Sequence, residues 1–444
     1  MSGIDNAPSL VPRLGCTAMS AAPAELRTAT EYGIPTEFRY WDHVGDRPVQ
    51  LARKVWRAVW RFDPQPPDEY VERFARAYYD SDPVAEAFVD EVYTTRGANE
   101  GRRLLDQALE HGLESIDDPP ASMRRLFEEF ARDPGWLRPE LVERGARVFR
   151  RYGTSVFSFA TTSTLEMYSE SSITKPLSLS GGYAGDTAHK RQLETVRFWI
   201  DVSDPGGLDK GPPVARGRAT AMRVRIMHVF IRRRLMQHPE WDLEAWGVPI
   251  SIADATLTLM GGSVVPGLAL WSVGHQTTIA EIEALLHYWR YIGHLLGVQP
   301  DWYPEDFRQS VQLMYAAFVK RAYMAGRDGE ELVQSYLPAF APKPGSPLRK
   351  RIRDELNYRV QIGYTRFWML PMTYRRHEMP NPWPWAIHPL VQFPFVLTLE
   401  SVRRVLPPLD HAADRVQRWR RDNWYANETG GKDAEFKPVE EFRR

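Results

Sequence analysis

Cysteine is nearly absent: of 444 residues only Cys16 carries a thiol. That excludes an intramolecular disulfide framework and any zinc or iron–sulfur site built from several cysteines. Net charge is missing too, because 57 basic side chains balance 57 acidic ones. The balance removes any global electrostatic argument for nucleic acid or an anionic membrane, so no nucleic-acid partner is expected. No run of about 18 or more apolar residues stands out, and no transmembrane helix is expected. The first thirty residues hold no basic segment followed by an apolar stretch, and Arg13 stands alone. Leu14-Gly15-Cys16 lacks the hydrophobic run that precedes a lipoprotein cleavage site. A cytoplasmic location is the expectation. Common catalytic patterns are missing as well: no P-loop, no His-Glu-x-x-His, no dinucleotide fingerprint, and no Gly-x-Ser-x-Gly. Alternating runs of Val, Ile and Thr are rare, which argues against sheets.

What remains is an ordinary globular balance, 43% hydrophobic and 26% charged, with fifteen tryptophans. Its periodicity is helical, and the fold class predicted is all-α. Residues 1–35 are poor in pattern and read as an irregular arm. Residues 36–335 read as the main helical domain. Helices are predicted from Pro48, across Glu69–Tyr79, Pro83–Tyr93 and Asn99–Gly112, and after Pro120 and Pro139. Residues 171–188, rich in Ser, Thr, Gly and Pro, read as a loop or broken helix. Two helices at 189–202 and 218–237 flank the turn Ser203-Asp204-Pro205-Gly206-Gly207, and two more follow at 251–271 and 278–296. Residues 336–444 read as a helical and Pro/aromatic-rich extension packed on the core, with a charged helix near 348–358 and a polar tail from Asn427. Its segment 379–399 suits a strap, a lid over an entrance, or a peripheral membrane contact.

One helix carries a histidine in its apolar stripe. Ala221, Val224, Ile231 and Leu235 lie seven back, four back, three on and seven on from His228, so all share its face. An imidazole facing the interior must find a hydrogen bond or coordinate something. The plain reading is a satisfied core histidine. The other is a heme ligand: iron needs one proximal imidazole, the porphyrin an apolar slot, and the propionates cations. Arg225 and Arg232, three back and four on, are the candidates for the propionates, or else are solvated or paired with acids. His287 and His294, with Glu283, share a helix face at a spacing open to a metal, although Leu286, Tyr291 and Leu295 around them suit packing.

The segment Val224-Arg225-x-x-His228-x-x-x-Arg232 resembles the signature of the latex-clearing protein and MpaB-type oxygenase family. Blocks around it match in order: Pro134-Gly135-Trp136-Leu137, Glu143-Arg144-Gly145-Ala146, Lys190 to Thr195, Asp204 to Leu208, Trp246 to Ile250, Asp254-Ala255-Thr256 and His287 to Val298. The resemblance covers about 120–315. It implies a helical fold with a globin-like core around a b-type heme, with His228 as proximal ligand and Arg191 and Thr195 supporting the heme. It also implies an enzyme that uses O2 to cleave an isoprenoid double bond into an aldehyde and a ketone. Where rubber-cleaving members tend to carry lysine before the threonine, this chain has Glu194, either a distal acid/base or a surface acid. His189 is a further distal candidate. The substrate expected is a soluble unsaturated apolar molecule rather than solid polymer. Hydroxylation, desaturation or peroxidation at the heme, or heme-based gas binding without catalysis, stay open.

Overall fold

The computed structural model describes residues 33–180, 186–406 and 408–430, and among them the regular elements are helices with no strand. The arm at 1–32, with Cys16, the stretch 181–185 and the tail 431–444 lie outside the described residues.

The chain begins with α1 (Tyr40–His43), α2 (Arg47–Trp60), α3 (Asp68–Arg76) and α4 (Pro83–Phe88). Asp82 caps α4 by accepting the Ala85 N–H at 3.1 Å. A π-turn at Val89–Thr94 leads to α5 (Ala98–His111), followed by α6 (Ala121–Ala131) and α7 (Pro139–Arg151). Next come α8 (Thr154–Met167) and α9 (Ser171–Leu179). Thus, of the loop or broken helix expected at 171–188, the first part is a helix with Pro176 inside it. Buried Thr174, Pro176 and Leu179 anchor it in the interior, so packing overrides the local propensity.

The centre of the molecule is the hairpin of α10 (Asp186–Ser203) and α11 (Arg216–Met236), followed by α12 (Leu243–Trp246). Then α13 (Ile252–Gly262) and α14 (Val264–Ala269) run almost continuously into a 3-10 turn at Leu270–Val273. This segment, Ile252–Val273, is long and apolar enough to cross a membrane by length and composition, which the sequence reading did not find. Asp254 and interspersed Thr, Ser and Gly hid it, and 61% of its apolar window is buried inside the protein, as befits a core helix.

Helix α15 (Ile279–Leu295) starts with a full capping box between Thr278 and Glu281 and buries most of its length. It lies along α7, where Gly145 makes the contact possible, since a Cβ there would strike the Ala284 carbonyl and Tyr288. Helices α16 (Phe307–Val319) and α17 (Gly326–Tyr336) complete this part. In the last hundred residues α18 (Leu348–Trp368) runs ten residues beyond the predicted end and packs on α8. Helices α19 (Pro371–Arg376), α20 (His388–Val405) and α21 (Pro408–Thr429) follow. Buried ion pairs fasten α21 to the core: Arg150 holds Asp414 at 2.6 Å, and Arg421 pairs with Asp204 across the hairpin turn. The proline-rich stretch before α20 is irregular apart from one turn at Trp385–Ile387 and straps α18, where a Cβ at Gly363 would hit the Trp385 carbonyl.

Candidate functional site

The turn between α10 and α11 is tight because Gly206 has a φ of +74° and a Cβ on Gly207 or Gly217 would strike the Asp201 carbonyl. Asp201 therefore marks the side of α10 that faces α11, and it also pairs with Arg197 and with Arg216 of α11. Glu194 lies seven residues before Asp201, two turns along the same stripe. On the other strand of the hairpin Val224 lies seven residues after Gly217, and His228 one turn further. Arg191 and His228 stand twelve residues from their respective ends of the turn, about 18 Å along each helix, so they are level. The antiparallel register thus brings the turn Arg191–Thr195 opposite the turn Val224–His228.

His228 is half-buried, and the protein around it is dense enough to weigh against a charge on the ring. Burial pushes its pKa down to about 4, with Arg232 adding to the effect and Asp82 opposing it. Among the described residues it makes no hydrogen bond and no ion pair. The plain alternative, a core histidine satisfied by a neighbour, is not what the structure contains. A half-buried imidazole held neutral with its ring nitrogens unspent is the donor that iron requires. Val224, Met227 and Ile231 around it are apolar and likewise retain accessible surface. The residues present therefore fit a heme on this side of α11.

The flanking arginines require a correction. Arg225 is buried and forms a two-pronged pair with Asp82, at 2.6 and 2.9 Å, and a third bond to Glu129 at 2.7 Å. Arg232 gives all three of its nitrogens to Glu86 and to the Pro249 and Ile250 carbonyls. Both face α4 and its surroundings and knit α11 into the core; Arg232 has no nitrogen left over, while Nη1 of Arg225 is buried without a partner. Sequence reasoning missed Asp82, Glu86 and Glu129 as their partners. The signal available was the Asp-Pro start of α4 with an acid four residues on.

Arg191 is half-buried and its ion pair is with Glu194 at 3.7 Å. Lys190 approaches Glu194 at 4.0 Å. Burial raises the Glu194 carboxyl above its ordinary pKa, while Arg191 and Lys190 pull it back. Thr195 is exposed and its hydroxyl donates to the Arg191 carbonyl at 3.1 Å. His189 points away from the hairpin, to Glu428 of α21 at 3.3 Å and edge-on to Phe340, which removes it as a distal histidine. The histidines of α15 are engaged elsewhere: His287 accepts the Arg138 N–H, and His294 bonds to Gln299 and the Arg132 carbonyl. Among the described residues no cluster of three His, Cys, Asp or Glu side chains could hold a metal ion.

Comparison with known proteins gives three findings. The family model for the catalytic domain of the ER-bound oxygenase mpaB/B'/rubber oxygenase matches residues 146–392. A rubber oxygenase from Streptomyces sp. (strain K30) is 29% identical over 232 residues, which is 51% of this chain and 54% of that protein. The chain thus spans about half the length of the curated relative it matches. A solved structure of a latex clearing protein, titled as the closed state, superposes with a TM-score of 0.55 at 21% identity, covering 77% of this chain and 91% of the other. That likeness bears on the helical fold alone.

Proposed function

The chain belongs to the family of the ER-bound oxygenase mpaB/B'/rubber oxygenase catalytic domain, and from that membership we propose that it is a heme-dependent oxygenase. It uses O2 to oxidise an unsaturated apolar small molecule, prenylated, terpenoid or lipid-like, by cleaving a C=C bond. The bookkeeping closes without outside electrons: one alkene and one O2 give two carbonyl groups.

The observation that carries the reading is His228, a half-buried imidazole held neutral and with no partner of its own. A b-type heme, when bound, would supply an iron able to activate O2. His228 would be the proximal ligand, and its low pKa keeps the nitrogen available well into the acid range. Arg191 is the cation we place at a propionate; Arg232 spends its three nitrogens within the protein, and Arg225 keeps only its buried Nη1 unpartnered. Glu194 holds a carboxyl whose proton affinity is raised by burial, which suits it to take up and return a proton beside the substrate. Thr195, bonded to the Arg191 carbonyl, steadies the turn that presents Arg191 and Glu194. The apolar side chains Val224, Met227 and Ile231 exclude water and favour a hydrocarbon chain.

The test is O2 consumption with a panel of prenylated and terpenoid alkenes, coupled to detection of aldehyde and ketone. The reading expects uptake that depends on one class of alkene and matches carbonyl formed. Reversible O2 binding without consumption across the panel would point to a gas-binding protein instead.

A further inference from the structure

We propose that the outer face of α20, with α2 and the Trp271 turn beside it, is a docking surface for an anionic membrane. Helix α20 is amphipathic in the inverted sense. Leu390, Val391, Phe395, Leu399, Val402 and Val405 recur at helical spacing and point outward, Phe395 and Val405 being 73% and 78% exposed. Two of its ionic side chains, Glu400 and Arg403, point inward, buried against each other and Arg151, while Arg404 is exposed. A helix covered only by water carries the opposite arrangement.

Helix α2 repeats the pattern. Leu51, Val55 and Val59 are 63%, 55% and 67% exposed along one face, and the helix buries none of its residues. The two helices adjoin through the turn at Leu270–Val273. Trp60 of α2 stacks on Trp271 at 5.6 Å, and Gly274 sits so close to α20 that a Cβ there would strike the Phe393 carbonyl. A cleft of about 300 Å³ lined by Trp271, Thr278, Leu397 and Arg404 opens at the same junction.

Charge selects the occupant. From Arg47 to Phe62 there is no acid, and Arg47, Lys54 and Arg61 have no ion pair among the described residues. The one acid of α20, Glu400, is buried, whereas Arg404 is exposed. An apolar stripe edged by unpaired cations complements anionic phospholipid, apolar side chains meeting acyl chains and cations meeting phosphates. A second copy of the chain would set these cations against one another. The surface uses none of the residues of the His228 hairpin, so it stands independently of the heme reading.

The experiment is flotation of the full chain on density gradients with vesicles of phosphatidylcholine, plain or containing about a third phosphatidylglycerol. Wild type is expected to float with the anionic vesicles and to release them as salt rises from about 0.1 M to about 1 M, which shortens the screening length from about 10 Å to about 3 Å. Each cation near such a surface is worth about fivefold in partitioning. The double variant K54E/R61E should therefore lose binding by well over tenfold, and F395E/L399E should lose it too, both with unchanged melting because all four side chains are exposed. Wild type that stays with the unbound fraction, or variants that float as well as wild type, would overturn the proposal. So would a concentration-dependent dimer abolished by F395E/L399E, or a cross-link from position 395 to residues 1–32 in a chain that does not bind vesicles.

Discussion

At the scale of single residues, the site separates side chains that hold the fold from side chains left free to act. Arg225 lies three residues from His228 yet spends two of its nitrogens on Asp82 and Glu129. Removing one partner strands a buried charge, so Asp82→Ala is expected to cost about 3–5 kcal/mol in chemical denaturation. Glu194 is different, since its nearest cations stand at 3.7 and 4.0 Å and it makes no tight pair. Glu194→Gln is expected to leave stability within about 0.5 kcal/mol while lowering turnover by roughly 10²–10⁴-fold with the heme spectrum intact. A Gln variant with normal turnover would make Glu194 the surface acid that its position on the helix also allowed.

At the scale of elements, Gly145 shows how a helix pair can depend on the absence of a side chain. A Cβ there would push into the Ala284 carbonyl and Tyr288, so α7 could not lie along α15. Gly145→Ala is expected to lower stability by about 1–3 kcal/mol, read as a shift of the denaturation midpoint, although alanine is the better helix former. Much of this level was legible in the sequence. The hairpin α10–α11 emerged with ends within three residues because Asp-Pro-Gly-Gly permits only a turn and the helical periodicity resumes on both sides. For α9 the sequence leaves loop and broken helix open, because its Ser, Thr and Pro content hides a buried face that only the fold supplies. For Arg225 and Arg232 the sequence leaves both readings open for a related reason. A helical wheel shows a cation beside the histidine, but Asp82 is 143 residues away in sequence, and nothing local says whether the anion comes from ligand or protein. Likewise His189 shares its helix with Glu194, and only the return of α21 reveals that Glu428 claims it.

At the scale of the whole molecule, the residues beyond the catalytic-domain match, from 393 on, are tied to it by buried polar contacts, and one of them makes stability depend on pH. His275 is buried beside Glu400 and Tyr152 with neither ring nitrogen hydrogen-bonded. Burial lowers its pKa to about 4; Glu400 opposes the shift, and Arg151 and Arg403 reinforce it. The folded protein therefore resists a proton that the unfolded chain accepts below its ordinary pKa of 6.5. Stability due to this group is full above about pH 6.5 and is lost as pH falls toward 4. His275→Phe keeps a ring against Tyr152 and is expected to flatten the fall between pH 6.5 and 4.5 by up to about 1.4 kcal/mol per pH unit. Denaturation curves at several pH values read that slope, and an unchanged slope would show that His275 is protonated in the fold.

The central claim is that His228 is the ligand of a heme, and hemin titration followed by absorption spectroscopy tests it most directly. The account predicts a saturable Soret band at one heme per chain in the wild type, and loss or marked displacement of that band in a folded His228→Ala protein. A wild type that binds no hemin, or a His228→Ala variant with the wild-type spectrum, would contradict it.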